Sequence, residues 1–351
     1  MSIAEPLPPP VETVRFRDAQ IEMAHGAGGK ASRRLVEGLF APLFGSLGTP
    51  LTDAATIAVA GTDVVITTDA FVVRPLQFRG GSIGTLAVHG TVNDLVVSGA
   101  SPCALVATFV LEAGLPGDVL EREARAMADA ARRSGISIVG GDTKVVEHGK
   151  ADGMYITTTG LGAPDRRVRC AAASVRPGDQ VILSGPIGDH GITVLLARGD
   201  VELDAELQSD TRSVGPLVAS LVEEAAHGLR WMRDPTRGGV ATALNELARD
   251  SGLGVALFEE RVPVRDAVRG ACELLGLDVL DIANEGQFLA VVAPADAERA
   301  LDAIRAVPGG EGAAVIGEIR DTPAATVIGF SPFGGSRVIE MLVGDPLPRI
   351  C

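Results

Sequence analysis

Aromatic residues are nearly absent from this chain. Phe, Tyr and Trp make up 3% of 351 residues, with a single Tyr and a single Trp. The core must then be built from Ala, Val, Leu and Ile, which suits close-packed layers of helix and sheet. Cysteine is scarce as well: Cys103, Cys170, Cys272 and Cys351 lie far apart, with no C-x-x-C pair. That spacing excludes a disulfide framework and a cysteine zinc site, and fits reduced thiols in a cytoplasmic protein. The five histidines contain no i, i+4 pair, so a helical histidine metal site is excluded. No run of 18 apolar residues occurs, and the stretch from Met1 to Thr13 carries no apolar segment suited to export. Positive charge is also in deficit. A formal charge of −14 argues against nucleic acid or an anionic membrane as a partner. An enzyme for phosphate substrates can still be acidic when metal ions mediate the contact.

Glycine, by contrast, is abundant, with 43 residues. The length suits two domains. Pro6, Pro8, Pro9 and Pro10 make residues 1–20 an expected extended arm. A helix is predicted from Lys30 to Phe44, with strands at Thr56–Ala60 and Val64–Thr68 joined through Gly61-Thr62-Asp63. A long helix follows Gly80-Gly81, then a buried strand at Cys103–Leu111 and a helix over Gly117–Ser134. A short strand at Ile136–Val139 is expected to end in Gly140-Gly141-Asp142, with another strand over Met154–Gly160. The pattern lapses between Ala163 and Gly178, which places a domain boundary there. The expected domains are thus 21–165 and 166–343, followed by a tail at 344–351. The second half restarts with short strands and helices, including Gly188-Asp189-His190-Gly191 and Arg237-Gly238-Gly239 at helix starts.

Several carboxylates fall at strand ends or helix starts: Asp69, Asp142 and Asp234. A single Asp at a turn is ordinarily a cap. Asp94 differs, because it sits between Val92 and Leu95 in an apolar helix, where a carboxylate is costly unless paired or metal-bound. Carboxylates meeting at strand mouths form an oxygen-ligand site suited to Mg²⁺, and Mg²⁺ in turn suggests nucleotide phosphates. The loop His25-Gly26-Ala27-Gly28-Gly29 could lend backbone N–H groups to phosphate, although it is not a Walker A loop. Lys144 and Glu285 could orient or deprotonate an amide if they converge. Asp189 and His190 read as a helix cap and its neighbour, and Trp231 reads as core.

Cys351 stands apart from the other thiols. Pro346 and Pro348 favour an extended tail, which from Gly344 could carry the sulfur roughly 25 Å. That reach suits a carrier thiol, whereas a packing cysteine needs neighbours on all sides.

Taken in order, these motifs resemble one family. They are His25-Gly26-Ala27-Gly28-Gly29, Thr68-Asp69, Gly90-Thr91-Val92-Asn93-Asp94, Gly141-Asp142-Thr143-Lys144, Gly188-Asp189-His190-Gly191, Asp234-Pro235-Thr236-Arg237-Gly238-Gly239, Asn284-Glu285-Gly286 and Pro348-Arg349-Ile350-Cys351. The glycine and aspartate motifs resemble the wider aminoimidazole-ribonucleotide-synthetase-like (PurM-like) superfamily. The terminal Pro-Arg-Ile-Cys narrows the resemblance to the HypE hydrogenase maturation factors, from about residue 20 onward.

The resemblance implies a two-domain PurM-like fold of α+β and α/β character, whose N-terminal domain lends strands to a β-barrel shared across a homodimer. It implies a carbamoyl dehydratase. A carbamoyltransferase, HypF, loads Cys351, and ATP drives dehydration of the thiocarbamate to a thiocyanate. The cyano group then passes to iron on a HypC–HypD scaffold as a cyanide ligand for [NiFe]-hydrogenase. The implied catalytic residues are Cys351, Lys144 and Glu285. The nucleotide would be bound by His25, Gly26, Gly28, Gly29, Asp69, Asn93, Asp94, Asp142, Thr143 and Asp234, with Asp69, Asp94, Asp142 and Asp234 on Mg²⁺. Two alternatives stay open at this stage: a small-molecule kinase or synthetase of the same superfamily, and a non-enzymatic assembly scaffold.

Overall fold

A computed structural model describes residues 16–44, 52–199, 206–344 and 347–351. Most of the proline-rich arm and Pro346 of the tail lie outside those residues.

The glycine loop leads into α1 (Lys30–Leu35), a π-helical turn at Val36–Phe40, and α2 (Ala41–Phe44). β1 (Ala55–Val59) and β2 (Thr62–Phe71) then form a hairpin. Its turn is Ala60-Gly61, one step earlier than the sequence suggests, with φ of 50° and 82°. Two left-handed residues give the turn hand that matches strand twist. After the two-residue strands β3 (Gln77–Phe78) and β4 (Gly81–Ser82) comes α3 (Ile83–Val97). The Ser82 N–H donates to Thr85 Oγ1 at 2.8 Å and starts that helix. In α3 every residue except Thr85 and Asp94 is buried, as expected of a helix apolar on all sides.

The first sheet is completed by β5 (Ala100–Glu112), β6 (Ser137–Val146) and β7 (Met154–Pro164), with α4 (Gly117–Arg133) packed beside α3. Its order is β1-β2-β7-β5-β6, antiparallel except for the β5–β6 pair. Two expectations are corrected here. β5 is not buried on both faces: Leu105 and Ala107 face α3, while Cys103 and Val106 are exposed. β6 does not stop at Gly140 but runs on for six more residues. Gly141 is in the strand because a Cβ there would lie 1.9 Å from the Ala107 carbonyl oxygen.

The second sheet has seven strands. They are β8 (Gln180–Leu183), β9 (Leu229–Arg233), β10 (Gly254–Phe258), β11 (Leu289–Val292), β12 (Ala314–Arg320), β13 (Val327–Phe330) and β14 (Ser336–Ile339). Their order is β14-β13-β10-β12-β8-β11-β9. Five helices accompany it: α5 (Asp189–Ala197), α6 (Gly215–Ala225), α7 (Gly239–Ser251), α8 (Asp266–Leu275) and α9 (Ala297–Arg305). Both sheet faces are covered. Val181 and Leu183 pack with Val240 and Leu244 of α7, while Ile182 joins Leu221 of α6 and Ile304 of α9. Both faces buried explains why these strands read as short apolar runs without alternation. No helix among the described residues is long and apolar enough to cross a membrane.

The two halves share one core, which runs from Leu86 and Val96 of α3 to Val218 and Leu221 of α6. Asn93 fastens the seam. Its amide donates to the carbonyl oxygens of Arg212 (2.9 Å) and Glu285 (3.3 Å), and its Oδ1 accepts from Val214 N–H (2.9 Å).

Candidate active site

At this seam the sheets bring three carboxylates together. Asp53 precedes β1, Asp94 lies in α3 and Asp234 follows β9. Their oxygens lie within 4.8 Å of one another. The Thr67 hydroxyl, from β2, stands 2.8 Å from Asp94 Oδ2 and 2.7 Å from the Asp53 carbonyl oxygen. Asp69 adjoins the cluster, accepting from the Thr91 hydroxyl at 3.1 Å and interacting with Asp94. Arg233 counters part of this charge, 3.0 Å from Asp53 and 3.1 Å from Glu246. It is not enough. Burial pushes Asp53 up to about 6, and burial with the neighbouring carboxylates holds Asp94 and Asp234 well above their usual range. Closely set oxygen donors short of positive charge fit a hard divalent cation such as Mg²⁺.

On the other side of Asp69, the tail is seated rather than extended into solvent. Leu347 and Ile350 are buried in the main core. The Val72 N–H donates to a main-chain oxygen of Cys351 at 3.0 Å, and the Arg74 N–H to the carbonyl oxygen of Arg349 at 3.3 Å. Arg198 donates to the Arg349 carbonyl oxygen at 2.6 Å, and Arg349 pairs with Asp152. Cys351 thereby lines a cavity of about 260 Å³, with Gly26, Ala70, Arg237, Asp281 and Ala283 around it. The other thiols are different. Burial pushes Cys170 up to about 12 and Cys272 up to about 11, which suppresses their thiolates, and Cys103 is on the surface.

Arg237 spans the two features. Negative charge at Cys351 raises its pKa most, followed by Asp69, Glu285 and Asp94. Glu285 is buried, and burial together with Asp234, Asp210 and Asp69 lifts its carboxyl well above the usual range. Its position is fixed from behind. Asp210 accepts from the N–H groups of Glu285 (3.0 Å) and Gly286 (3.2 Å).

The glycine loop closes over this region. Gly28 has φ of 79°, and a Cβ there would lie 2.7 Å from the Arg237 carbonyl oxygen. Arg237 Nη1 donates to the Gly26 carbonyl oxygen at 2.7 Å, and Lys30 N–H to that of Leu342 at 2.9 Å. Gly29 comes so close to Leu342 that a side chain there would overlap it. His25 is a cap within this loop. Its Nδ1 accepts from the Glu22 N–H at 3.0 Å, and its Nε2 stands 2.8 Å from Asp18.

The structure gathers Asp69, Asp94, Asp234, Glu285 and Cys351, as the sequence suggests, and sets the glycine loop beside them. It does not bring Asp142, Thr143 and Lys144 there within one chain. They lie on the outer strand β6, exposed, with Asp142 paired to Lys144 at 2.6 Å. Asp142 is in register with Thr108, Thr157 and Ala70, so it faces away from α3, about 14 Å across three strand spacings. Asn93, expected on the nucleotide, has its side chain engaged by the main chain at the seam. The sequence does not single out Asp53, Arg237 or Asp210, and it reads His190 only as the neighbour of a helix cap. Arg237 stood inside a quoted motif. Asp53 sits in an ordinary turn-like Thr-Asp-Ala and gave no signal.

Known proteins bear on this arrangement. The profile of the AIR synthase related protein N-terminal domain matches residues 51–163, and that of the C-terminal domain matches residues 176–329. The carbamoyl dehydratase HypE of Azotobacter vinelandii is 48% identical over 337 residues, covering 96% of this chain and 98% of that protein. The solved structure of a HypE–HypF complex superposes with a TM-score of 0.83 at 40% identity, over 88% of this chain and 99% of that one. A HypE structure in complex with ATP gives 0.79 at 42% identity, over 94% and 99%. Identity at this level along nearly the whole length leaves the assignment plain: the chain belongs to the HypE family, within the AIR synthase related proteins.

Proposed function

We propose that this chain is an ATP-dependent carbamoyl dehydratase acting on a carbamoyl group carried by its own Cys351. The thiocarbamate S–C(=O)–NH₂ becomes a thiocyanate S–C≡N. Its oxygen leaves on the phosphate of ATP, giving ADP and phosphate, and both amide protons are released. The amide oxygen is a poor leaving group, and phosphoryl transfer makes it a good one. The observation that carries this reading is the seating of Cys351 against Arg237, whose charge is also coupled to Asp69, Glu285 and Asp94.

Each residue has a physical task. Arg237 places a fixed positive charge where the carbamoyl oxygen and the transferred phosphate develop negative charge. Glu285 has a raised proton affinity, which suits a base taking an N–H proton. The Val72 N–H holds a main-chain oxygen of Cys351 and so orients the thiol. Asp53, Asp94 and Asp234, with Asp69 beside them, would hold Mg²⁺. Bound there, Mg²⁺ would supply charge neutralisation for the triphosphate. The glycine loop beside Arg237 is assigned to the phosphates.

A HypF-type carbamoyltransferase is the loading partner, a reading supported by the related HypE–HypF complex. A HypC–HypD scaffold is the acceptor of the cyano group. Loading and delivery both require the tail to leave its seat. A homodimer is part of the same reading. Strands β1 and β6 lie at the sheet's edges and expose Ile57, Val59, Val139 and Val145. Pairing with a second copy would cover them. Asp142, Thr143 and Lys144 would then meet an active site across that pairing. Peptide mass spectrometry tests the function. After carbamoylation, the C-terminal peptide should lose one water upon ATP addition, and any other site of loss overturns the proposal.

A further inference from the structure

His190 has no part in the chemistry above, yet it is fully buried and makes two hydrogen bonds. It is the second residue of α5, and its Nε2 lies 2.8 Å from the carbonyl oxygen of Ile350. A carbonyl can only accept, so Nε2 carries the proton. Nδ1 must then accept, and the Ser209 hydroxyl stands 2.8 Å from it. Ser209 Oγ in turn accepts from the Thr211 N–H at 3.1 Å and lies 2.6 Å from the Thr211 hydroxyl. The chain Thr211, Ser209, His190, Ile350 therefore runs in one direction and fixes one tautomer. Phe78 holds the ring edge-on, with centroids 5.4 Å apart. Burial also pushes the imidazole down to about 4, so it stays neutral in the working range.

We infer that His190 is a positioning residue for the thiol carrier, a tautomer-locked donor that registers the tail through the residue next to Cys351. The other tail contacts are apolar packing and hydrogen bonds made further out, at half-buried Arg198 and Arg349 and the Arg74 N–H. Leu347 and Ile350 slot over Gly191, where a Cβ would meet both side chains at 3.3 and 3.2 Å. The apolar part of this packing by itself tolerates sliding along the groove. A buried hydrogen bond with a locked donor does not, because leaving either group unpaired is costly. The Val72 contact and the His190 contact grip the main-chain oxygens of consecutive residues, Cys351 and Ile350. Together they set both the depth and the rotation of the last residue. The inference rests on the dehydratase reading for its rate effect, but not for its effect on seating.

The test uses full-length protein loaded at Cys351 by the carbamoyltransferase. His190→Leu removes the donor, and His190→Gln keeps an N–H at similar reach. Two readouts are followed: hydrogen exchange of the C-terminal peptide, and the single-turnover rate of ATP-dependent water loss. His190→Leu should speed exchange of the tail and slow water loss roughly tenfold or more, with carbamoyl loading undiminished. His190→Gln should restore most of both. Unchanged tail exchange in His190→Leu overturns the inference, as does a Gln variant as impaired as Leu, which would mean packing alone. Should His190→Leu not fold, Ser209→Ala frees the tautomer while leaving the ring packed. It should loosen the tail in the same sense, and no loosening there overturns the inference. If wild-type protein shows no ATP-dependent water loss, the dehydratase reading fails while the exchange result still decides the role of His190.

Discussion

Arg237 Nη1 donates to the carbonyl oxygen of Gly26 at 2.7 Å, tying the glycine loop to the segment that carries Asp234. The same guanidinium answers negative charge at Cys351 on one side and at Asp69 on the other. Arg237→Ala should therefore uncouple Cys351 from the acidic cluster. We expect water loss from carbamoylated Cys351 to slow about a hundredfold, the scale of removing one preorganised donor. The side chain keeps exposure to solvent and is not part of the apolar core, so the melting temperature should move little. Single-turnover kinetics with a thermal melt checks both, and a wild-type rate would remove Arg237 from the chemistry.

The acidic cluster makes a pH prediction. Burial raises the folded-state pKa of Asp53 to about 6, and those of Asp94 and Asp234 also lie well above the usual value. Such groups bind protons more tightly folded than unfolded, so they favour folding at low pH and cost stability as pH rises through their folded values. Without metal, Asp94→Asn should be more stable than the parent at pH 7, by about 1–2 kcal/mol. The gap should close near pH 4. Added Mg²⁺ should stabilise the parent and not the variant, and more so at pH 8 than at pH 5. Melts across pH, with and without Mg²⁺, decide it. A variant less stable than its parent at pH 7 without metal would contradict the electrostatic account.

Glu285 owes its place to Asp210, which accepts from two consecutive N–H groups. Asp210→Asn keeps the volume but turns one acceptor into a donor facing an N–H. Its expected cost is about 1–3 kcal/mol of stability, with turnover falling more than ATP affinity. Calorimetry and steady-state kinetics separate the two, and unchanged turnover would mean that Glu285 needs no such support.

The dimer prediction concerns the outer strand. Val139 and Val145 are about two-thirds exposed on β6, at 65% and 67%. Replacing both with Asp should leave the monomer fold intact and prevent self-association. Light scattering of the variant against the parent measures this. A parent that is monomeric at working concentration would count against the shared barrel.

Much of the site was legible because its residues break local rules. Asp94 is a carboxylate in a helix otherwise apolar, and Asp69 and Asp234 fall beside strand ends. The unreadable parts depend on distant partners. Asp53 looks like a turn residue until Arg233 and Asp94 arrive beside it. His190 looks like the neighbour of a helix cap, because its partner Ile350 lies 160 residues away. The same holds for the fold. Gly140-Gly141 signals a stop locally, but the Ala107 carbonyl requires glycine inside β6. β9 and β14, the two edge strands of the second sheet, lacked any clean period and were not predicted. The tail reads as extended from Pro348, yet Leu347 and Ile350 anchor it in the core.

The central claim is that Cys351 carries the group being dehydrated, and the mass of the C-terminal peptide tests it most directly. The protein is carbamoylated by its partner, split into two portions, and one receives Mg²⁺–ATP before digestion. The account predicts a carbamoyl adduct on Cys351 that loses one water only in the ATP portion. Cys351→Ala should bind ATP normally and show neither adduct. Water loss mapping to Cys103, Cys170 or Cys272, or cyano-group delivery by Cys351→Ala, would contradict it.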